Sequence, residues 1–323
     1  MQSAPKAFAT VSAMATAPAL RRPSPGQDEY GTPGRAAWLD VDWREHSRFA
    51  TVGGRRLHYV DVGDGPPLLM LHGLGACWTN WLENLPHFAE RYRVIVPDFP
   101  GFGWSEMPAD EDISISLYAR GVHELCEQLD IARAPVLGHS MGGFVGSELA
   151  IRHPERVECL VLVAAAVLWR ERRRARPLVT LAQVGEASTA WLASHWEWAH
   201  RRPRLRYGAL INVVRHPLRL SPELTWELMR RTGSMEGFTG ALRALHDYDM
   251  REHLTRIACP TLVVWGRQDQ LVPVDQARII EELVPDARRV IFDDTGHCPN
   301  FERPARFDAL VDEFLAEGRA SAG

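Results

Sequence analysis

Lysine is almost absent from this chain of 323 residues, because 36 of its 37 basic residues are arginine and Lys6 is the single lysine. The 41 acidic residues nearly balance them, leaving a formal net charge of −4. Such a balance argues against a polybasic nucleic-acid-binding surface, so we do not expect nucleic acid as a partner. Hydrophobic residues make up 46% of the chain, which excludes an intrinsically disordered or fibrous protein.

Cysteines are few and show no pairing pattern. The chain contains five of them: Cys77, Cys126, Cys159, Cys259 and Cys298. An odd number without a C-x-x-C pair favours free thiols in a reducing compartment, so we expect a cytoplasmic protein. No stretch approaches the ~18 consecutive apolar residues of a membrane span. The Ala/Thr-rich stretch from Ala7 to Leu20 is best interpreted as a disordered leader. The less favoured interpretation is a weak signal peptide, in which case the protein would be secreted.

Motifs for metals and nucleotides are missing as well. The sequence has no H-E-x-x-H, no carboxylate cluster at ligand spacing, and no G-x-G-x-x-G or P-loop pattern in the required context. We therefore expect neither a metal nor a cofactor. Any chemistry has to come from the side chains themselves.

Most of the chain alternates between short apolar runs and helical patterns. The strand-like runs are Arg48–Val52, Arg56–Val62, Pro67–Leu71, Arg93–Val96, Ala134–Leu137, Val157–Ala165, Thr261–Trp265 and Arg289–Phe292. Gly53-Gly54 between the first two predicts a hairpin. The later alternation predicts an α/β fold with a mostly parallel central sheet and helices on both faces.

Three kinds of segment are predicted. Residues 1–45 are punctuated by Pro and Gly and form an N-terminal extension, disordered in part, whose last portion docks through Trp38 and Trp43. Residues 46–166 and 248–320 form the core. Residues 167–247 lack its alternation of strands and helices and are predicted to be an inserted helical cap. The segment 165–250 holds 14 Arg and 8 acidic residues, so its formal charge is +6 and the rest of the chain carries −10.

The strongest chemical signal is Gly138-His139-Ser140-Met141-Gly142 between a predicted strand and a predicted helix. In that context G-x-S-x-G places the serine on a sharp turn at the carboxyl edge of the sheet. A nucleophilic Ser140 needs a base and an acid that orients the base. His297 and Asp269 each follow a predicted strand at the same edge, and the order Ser, Asp, His suits this architecture. Backbone N–H groups of Leu74 and Met141 are the candidate oxyanion donors.

These motifs together resemble the α/β-hydrolase superfamily over residues 47–318. The matching pieces are His72-Gly73, Asp98-Phe99-Pro100-Gly101-Phe102-Gly103-Trp104-Ser105, Gly138-His139-Ser140-Met141-Gly142-Gly143, Gly266-Arg267-Gln268-Asp269 with Val272-Pro273, and Gly296-His297. The resemblance implies Ser140 as nucleophile, His297 as general base and Asp269 as its orienting acid. Asp98 receives no catalytic role.

Differences from the motifs of related enzyme families narrow the set of possible reactions. Similar dehalogenases and epoxide hydrolases use an Asp nucleophile, whereas this chain has Ser140. Carbon–carbon hydrolases of ring-cleavage products often carry Trp after the catalytic His, whereas here Cys298 follows His297. The favoured function is therefore hydrolysis of a carboxylic ester by an esterase or a monoacylglycerol-lipase-like enzyme. The alternatives are a carbon–carbon hydrolase, a lactonase, a thioesterase, a perhydrolase, and a receptor-like member of the fold that binds ligands without turnover.

The predicted cap supplies the expectations about substrate. Trp169, Trp191 and Trp196 are the candidate lining of an apolar pocket for a small ester, although tryptophans in such a segment commonly serve only to pack the cap. The arginine runs at 170–176 and 201–206 predict weak contact with a membrane surface, and a solvated helix face is the simpler explanation.

Overall fold

The structure is a computed structural model that describes residues 29–108, 111–168, 201–230 and 233–320. The three tryptophans predicted to line the pocket, Trp169, Trp191 and Trp196, lie outside the described residues. Residues 1–28 of the predicted extension also lie outside them.

One sheet of eight strands organises the described chain, in the spatial order β1-β2-β4-β3-β5-β6-β7-β8. The strands are β1 (Ser47–Val52), β2 (Arg55–Val62), β3 (Pro67–Leu71), β4 (Arg93–Pro97), β5 (Ala134–His139), β6 (Val157–Val163), β7 (Thr261–Gly266) and β8 (Ala287–Phe292). Strands β1 and β2 form the predicted hairpin, and β2 also pairs antiparallel with β4. The pairings from β4 to β8 are parallel. This arrangement is the predicted α/β sheet.

Helices cover both faces of the sheet and continue into the insertion after β6. They are α1 (Leu85–Ala89), α2 (Ile115–Gln128), α3 (Met141–Arg152), α4 (Pro203–Leu210), α5 (Pro222–Met229), α6 (Met235–Asp247), α7 (Asp275–Leu283), α8 (Pro299–Glu302) and α9 (Pro304–Ala320). Within the described ranges, none of the helices is long and apolar enough to cross a membrane.

The strands are buried on both sides because their side chains alternate between two apolar cores. In β3, Leu69 and Leu71 pack with helices α2, α3 and α7, whereas Leu68 and Met70 pack with α1 and α9. This double burial explains why the parallel strands read as continuous apolar runs rather than as alternating ones. It also fixes the carboxyl ends of β3, β5, β7 and β8 at one edge, where the site lies.

The described part of the extension packs on this body. Trp38 is buried and donates from Nε1 to a carboxylate oxygen of Glu83 at 3.0 Å. Trp43 donates from Nε1 to the carbonyl oxygen of Trp38 at 3.0 Å, and its ring centroid lies 5.3 Å from that of Trp78. The segment therefore adds to the second apolar core.

The insertion between β6 and β7 contacts the loops that follow β3 and β4. Ser234 donates its backbone N–H to the carbonyl oxygen of Gly101 at 2.9 Å. A Cβ on Gly237 would lie 2.5 Å from that same oxygen, so only glycine allows α6 to approach this closely. The first turns of α6 are thereby held against the edge of the sheet.

Candidate active site

Ser140 occupies a strained turn between β5 and α3. Its φ of 53° and ψ of −112° lie in a region that non-glycine residues rarely adopt. Neighbouring strands hold it there, because its N–H donates to the carbonyl oxygen of Val163 at 2.9 Å and its own carbonyl accepts from Ala166 at 3.0 Å. A Cβ on Gly142 would lie 2.2 Å from the carbonyl oxygen of Leu71, so the helix approaches the sheet only because that residue is glycine.

The three predicted residues lie in one hydrogen-bonded series. Ser140 Oγ lies 3.0 Å from His297 Nε2, and His297 Nδ1 lies 2.7 Å from Asp269 Oδ2. The side chains of His297 and Asp269 are 5% and 0% exposed. This geometry requires the His297 proton on Nδ1, which leaves the Nε2 lone pair directed at the serine hydroxyl. The arrangement is that of a nucleophile, a base and an orienting acid.

Asp269 is oriented by its own loop as well as by His297. Its second oxygen, Oδ1, accepts the backbone N–H groups of Leu271 at 2.8 Å and Val272 at 2.9 Å. Trp265 in β7 donates from Nε1 to the carbonyl oxygen of Val272 at 3.0 Å and so anchors the same turn. Both carboxylate oxygens are therefore committed, and the carboxylate has little freedom to rotate away from the histidine.

His139 links the serine turn to the loops around it. Its Nε2 lies 3.0 Å from the carbonyl oxygen of His297, and its Nδ1 lies 2.9 Å from Oδ1 of Asn80. Burial and the neighbouring His297 lower the pKa of His139 to about 3, so the ring is neutral and its single proton serves one of the two acceptors. Asn80 Oδ1 also accepts the N–H of Gly73 at 3.0 Å, which ties this group to the loop after β3.

The loop after β3 carries Leu74, and hydrogen bonds from His72 shape it. His72 Nδ1 donates to the carbonyl oxygen of Gly73 at 2.8 Å, while Nε2 accepts the N–H of Phe99 at 2.9 Å. Burial lowers the pKa of His72, which keeps the ring in this neutral form. Leu74 is half-buried and packs against the core, whereas Met141 is fully buried at the first position of α3. The N–H of a first helical residue has no acceptor within its own helix.

Asp98 received no catalytic role from the sequence. In the structure its carboxylate accepts hydrogen bonds from several loops and holds them together. One of its oxygens accepts the N–H of Trp78 at 2.7 Å, and the other accepts that of Trp104 at 3.1 Å. The second oxygen also lies 2.7 Å from His58 Nδ1. A Cβ on Gly103 would lie 1.9 Å from this carboxylate. The two glycines and three aromatic residues between Asp98 and Ser105 were the sequence signal for such a tightly packed turn.

Cys298 follows His297 in the chain and is not arranged as a competing nucleophile. Burial raises the pKa of its thiol well above the ordinary value, and the charges of Glu302 and Asp269 raise it further. A thiol that stays protonated is a poor nucleophile. Cys298 is 2% exposed and packs within the second apolar core.

A group of three potential metal ligands lies at the protein surface, away from the triad residues in sequence. Among the described residues, His123, His153 and Glu155 place one ligand atom each within 4.8 Å of the others. The two imidazole rings are stacked, with centroids 3.7 Å apart and an angle of 13° between their planes. Ring lone pairs lie in the ring plane, so parallel stacked rings do not converge on a common ion.

The fold and the strained serine turn define a hydrolase of the nucleophile-elbow class. A family profile described as alpha/beta hydrolase fold matches residues 66–304. The chain belongs to this family, as the sequence motifs predicted.

Curated relatives include enzymes of two activities. The chain is 30% identical over 291 residues to a 2-hydroxymuconate semialdehyde hydrolase of Pseudomonas sp. strain CF600, covering 86% of this chain and 96% of that protein. It is 29% identical over 253 residues to a pimeloyl-[acyl-carrier protein] methyl ester esterase of Aeromonas hydrophila, covering 78% and 96%. These similarities support a hydrolase, but they do not decide between the activities of the two relatives.

Solved structures agree with the alpha/beta hydrolase fold. A bacterial membrane phospholipase A superposes with a TM-score of 0.67 at 25% identity, covering 87% of this chain and 91% of that one. A thermophilic esterase from Thermogutta terrifontis superposes with a TM-score of 0.68 at 24% identity, covering 84% and 98%. The esterase comparison supports the fold alone.

Proposed function

We propose that the protein hydrolyses a carboxylic ester through a covalent acyl-enzyme on Ser140. The observation that carries the proposal is the continuous series from Ser140 Oγ to His297 at 3.0 Å and from His297 to Asp269 at 2.7 Å. A serine hydroxyl is a weak nucleophile until a base accepts its proton, and this series supplies the base and the group that orients it.

In the first half-reaction, Ser140 Oγ attacks the ester carbonyl carbon while its proton moves to His297 Nε2. The buried carboxylate of Asp269 stabilises the imidazolium that forms. The tetrahedral intermediate then collapses, and the C–O bond to the alcohol breaks as His297 returns the proton to the departing oxygen. The acyl group remains bound to Ser140 as an ester.

The second half-reaction repeats these steps with water. His297 Nε2 accepts a proton from water, whose oxygen attacks the acyl carbon. Collapse of the new intermediate returns the proton to Ser140 and releases the carboxylic acid. In both intermediates the N–H groups of Leu74 and Met141 are the proposed donors to the oxyanion, an electrostatic contribution worth about 3 kcal/mol per donor in such sites.

Two observations favour an ester as the substrate, and a third favours an apolar one. The residue after His297 is Cys298, where ring-cleavage hydrolases often carry Trp. The Aeromonas relative is itself a methyl ester esterase. An apolar ester also suits the described surroundings of the Leu74 loop, because the ring of Phe238 lies 3.2 Å from the Cβ position of Gly75.

A carbon–carbon hydrolase is the second candidate, and the relatives favour it at least as strongly. The Pseudomonas relative and two 2-hydroxy-6-oxo-6-phenylhexa-2,4-dienoate hydrolases, from Comamonas testosteroni and Burkholderia cepacia, share 28–30% identity with the chain. The same serine, histidine and aspartate would serve this reaction, with a carbanion in place of an alkoxide as the leaving group.

A matched substrate panel separates the two candidates. Purified enzyme is assayed with p-nitrophenyl esters of increasing acyl length and with 2-hydroxy-6-oxohexa-2,4-dienoates bearing methyl or phenyl at the ketone. We expect a kcat/KM at least tenfold higher for the best ester, a difference of about 1.4 kcal/mol in transition-state binding. A reversed preference selects the carbon–carbon hydrolase.

Ser140→Ala is the control in the same panel. It should abolish turnover of every substrate, while saturable binding persists. Lactones, thioesters and peroxide-dependent acyl transfer extend the panel to the remaining hydrolase alternatives. Binding without product release from any compound in wild-type enzyme would favour a receptor-like protein. We also propose the cytoplasm as the compartment, because none of the five cysteines forms a disulfide.

A further inference from the structure

A buried carboxylate, Glu302, holds the loop that carries His297. The side chain of Glu302 is fully buried. Its Oε1 accepts the backbone N–H of Cys298 at 2.9 Å, and its Oε2 accepts that of Gly296 at 2.9 Å. One carboxylate therefore binds the residues on both sides of the proposed general base.

Two more donors reach the carboxylate of Glu302 from outside this loop. The backbone N–H of Arg215, in the insertion after β6, donates to Oε2 at 2.8 Å. The hydroxyl of Tyr30, in the N-terminal segment, donates to Oε2 at 2.6 Å. The next residue, Gly31, donates its N–H to the carbonyl oxygen of Glu302 at 2.7 Å. The extension thus contacts Glu302 through both its side chain and its backbone.

Tyr30 is itself fixed in place. Its hydroxyl accepts the backbone N–H of His216 at 2.8 Å, and its ring meets the His216 ring edge to face at a centroid distance of 5.1 Å. The guanidinium groups of Arg219 and Arg303 lie 5.0 and 5.1 Å from the ring centroid. Burial, followed by the charge of Glu302, raises the pKa of Tyr30 and keeps the phenol protonated as a donor.

The assembly leaves little room for the histidine loop to move. The N–H of His297 donates to the carbonyl oxygen of Val213 at 2.8 Å. A Cβ on Gly296 would lie 2.8 Å from the N atom of Arg215 and 3.0 Å from Glu302 Oε1. Burial raises the pKa of Glu302, while its hydrogen bonds to Tyr30 and the backbone oppose that shift. Each donor therefore stabilises the charged form of the carboxylate and helps to hold it in place.

We propose that Tyr30 is a positioning residue for the proposed general base, acting through Glu302, so that the N-terminal segment forms part of the active-site machinery. This inference rests on the proposed function of His297. Without the phenol, Oε2 loses its hydrogen bond from the extension. The loop then samples orientations in which His297 Nε2 no longer faces Ser140. Substrate binding does not depend on that alignment, but proton transfer does.

The test compares full-length Tyr30→Phe with wild type and with Tyr92→Phe. Phenylalanine keeps the ring packing of Tyr30 and removes only the hydroxyl. Tyr92 is a buried tyrosine just before β4, at the opposite edge of the sheet. Steady-state kinetics with a p-nitrophenyl ester and the rate of fluorophosphonate labelling are measured for all three. We expect Tyr30→Phe to lower kcat and labelling by about tenfold with KM nearly unchanged, as for loss of one hydrogen bond to a charged group.

A purely structural role predicts another pattern, in which Tyr30→Phe melts earlier but keeps wild-type kcat below its melting temperature. That result overturns the proposal. Proton NMR of the His297 Nδ1–H resonance gives a readout independent of turnover, and we expect faster exchange with water in Tyr30→Phe than in Tyr92→Phe. Unchanged exchange contradicts positioning even if wild type proves inactive, whereas an inactive, unlabelled wild type contradicts the proposed function alone. Should Tyr30→Phe not fold at the assay temperature, all three proteins are measured at a lower temperature, with the same expectations.

Discussion

Asp269→Asn is the substitution that most sharply tests the role of the buried acid. The carboxylate accepts three N–H groups, from His297 Nδ1 at 2.7 Å, Leu271 at 2.8 Å and Val272 at 2.9 Å. Asparagine has nearly the same shape but only one acceptor oxygen. At least one of the three donors must then face the amide NH₂ group.

Either orientation of the asparagine is costly. If its oxygen remains toward the backbone, its NH₂ faces His297 and forces the ring proton onto Nε2, where it points at Ser140. The base is then absent. If the oxygen faces His297 instead, two buried N–H groups lose their acceptor, which costs about 1–3 kcal/mol each. The first orientation therefore dominates.

We expect kcat to fall by about 10³ to 10⁴, as for the same change in other serine triads, which is about 4–5.5 kcal/mol of transition-state stabilisation. KM should stay nearly constant because Asp269 is fully buried behind the histidine. Initial rates on the best ester of the panel measure both parameters, and circular dichroism melting reports whether the variant is folded.

Asp293→Asn is the matched control. Asp293 lies on the same edge of the sheet, is 73% exposed and pairs with Arg267. Its substitution should leave kcat unchanged. If folded Asp269→Asn retained more than about a tenth of wild-type kcat, the carboxylate of Asp269 would not be what sets the tautomer of His297.

Three further predictions follow from the surroundings of the site. Because burial lowers the pKa of His72, the unfolded chain takes up a proton below pH ~6.5 that the folded chain does not. His72 alone should therefore lower the free energy of urea unfolding by up to about 1.4 kcal/mol per pH unit on acidification, so that this free energy falls less steeply in His72→Gln; parallel curves would contradict this. Gly142→Ala places a Cβ 2.2 Å from the carbonyl oxygen of Leu71, so the variant should melt several degrees earlier and react more slowly with fluorophosphonate. A labelling rate equal to that of wild type would contradict a requirement for glycine in the turn that positions Ser140. If the basic insertion contacts membranes, the protein should co-sediment with anionic liposomes at low salt and be released at high salt; absence from the low-salt pellet rejects electrostatic docking.

Much of the parallel core was predictable from the sequence because burial on both faces leaves continuous apolar runs. The predicted strand Pro67–Leu71 is observed with the same bounds, and the predicted strand Thr261–Trp265 extends to Gly266. Parallel strands also bring their carboxyl ends to one edge, so Ser140, Asp269 and His297 were expected near one another before any distance was known.

Long-range hydrogen bonds were not predictable in the same way. Nothing in the sequence pairs Tyr30 with Glu302, which are 272 positions apart. The short helix α8, Pro299–Glu302, was also missed, because four residues show no helical periodicity. Asp98 was recognised within a motif, but its contacts with Trp78 and Trp104 depend on how two loops fold over each other. Such polar hubs are visible only when the tertiary structure places donors around them.

Peptide mapping of the covalent adduct tests whether Ser140 is the nucleophile. The enzyme is treated with a fluorophosphonate and digested, and the modified peptide is sequenced by mass spectrometry. We predict stoichiometric modification of Ser140, with no adduct in Ser140→Ala and slow modification in Asp269→Asn. An adduct on another residue, or wild-type enzyme that turns over esters without any modification at Ser140, would contradict the proposed mechanism.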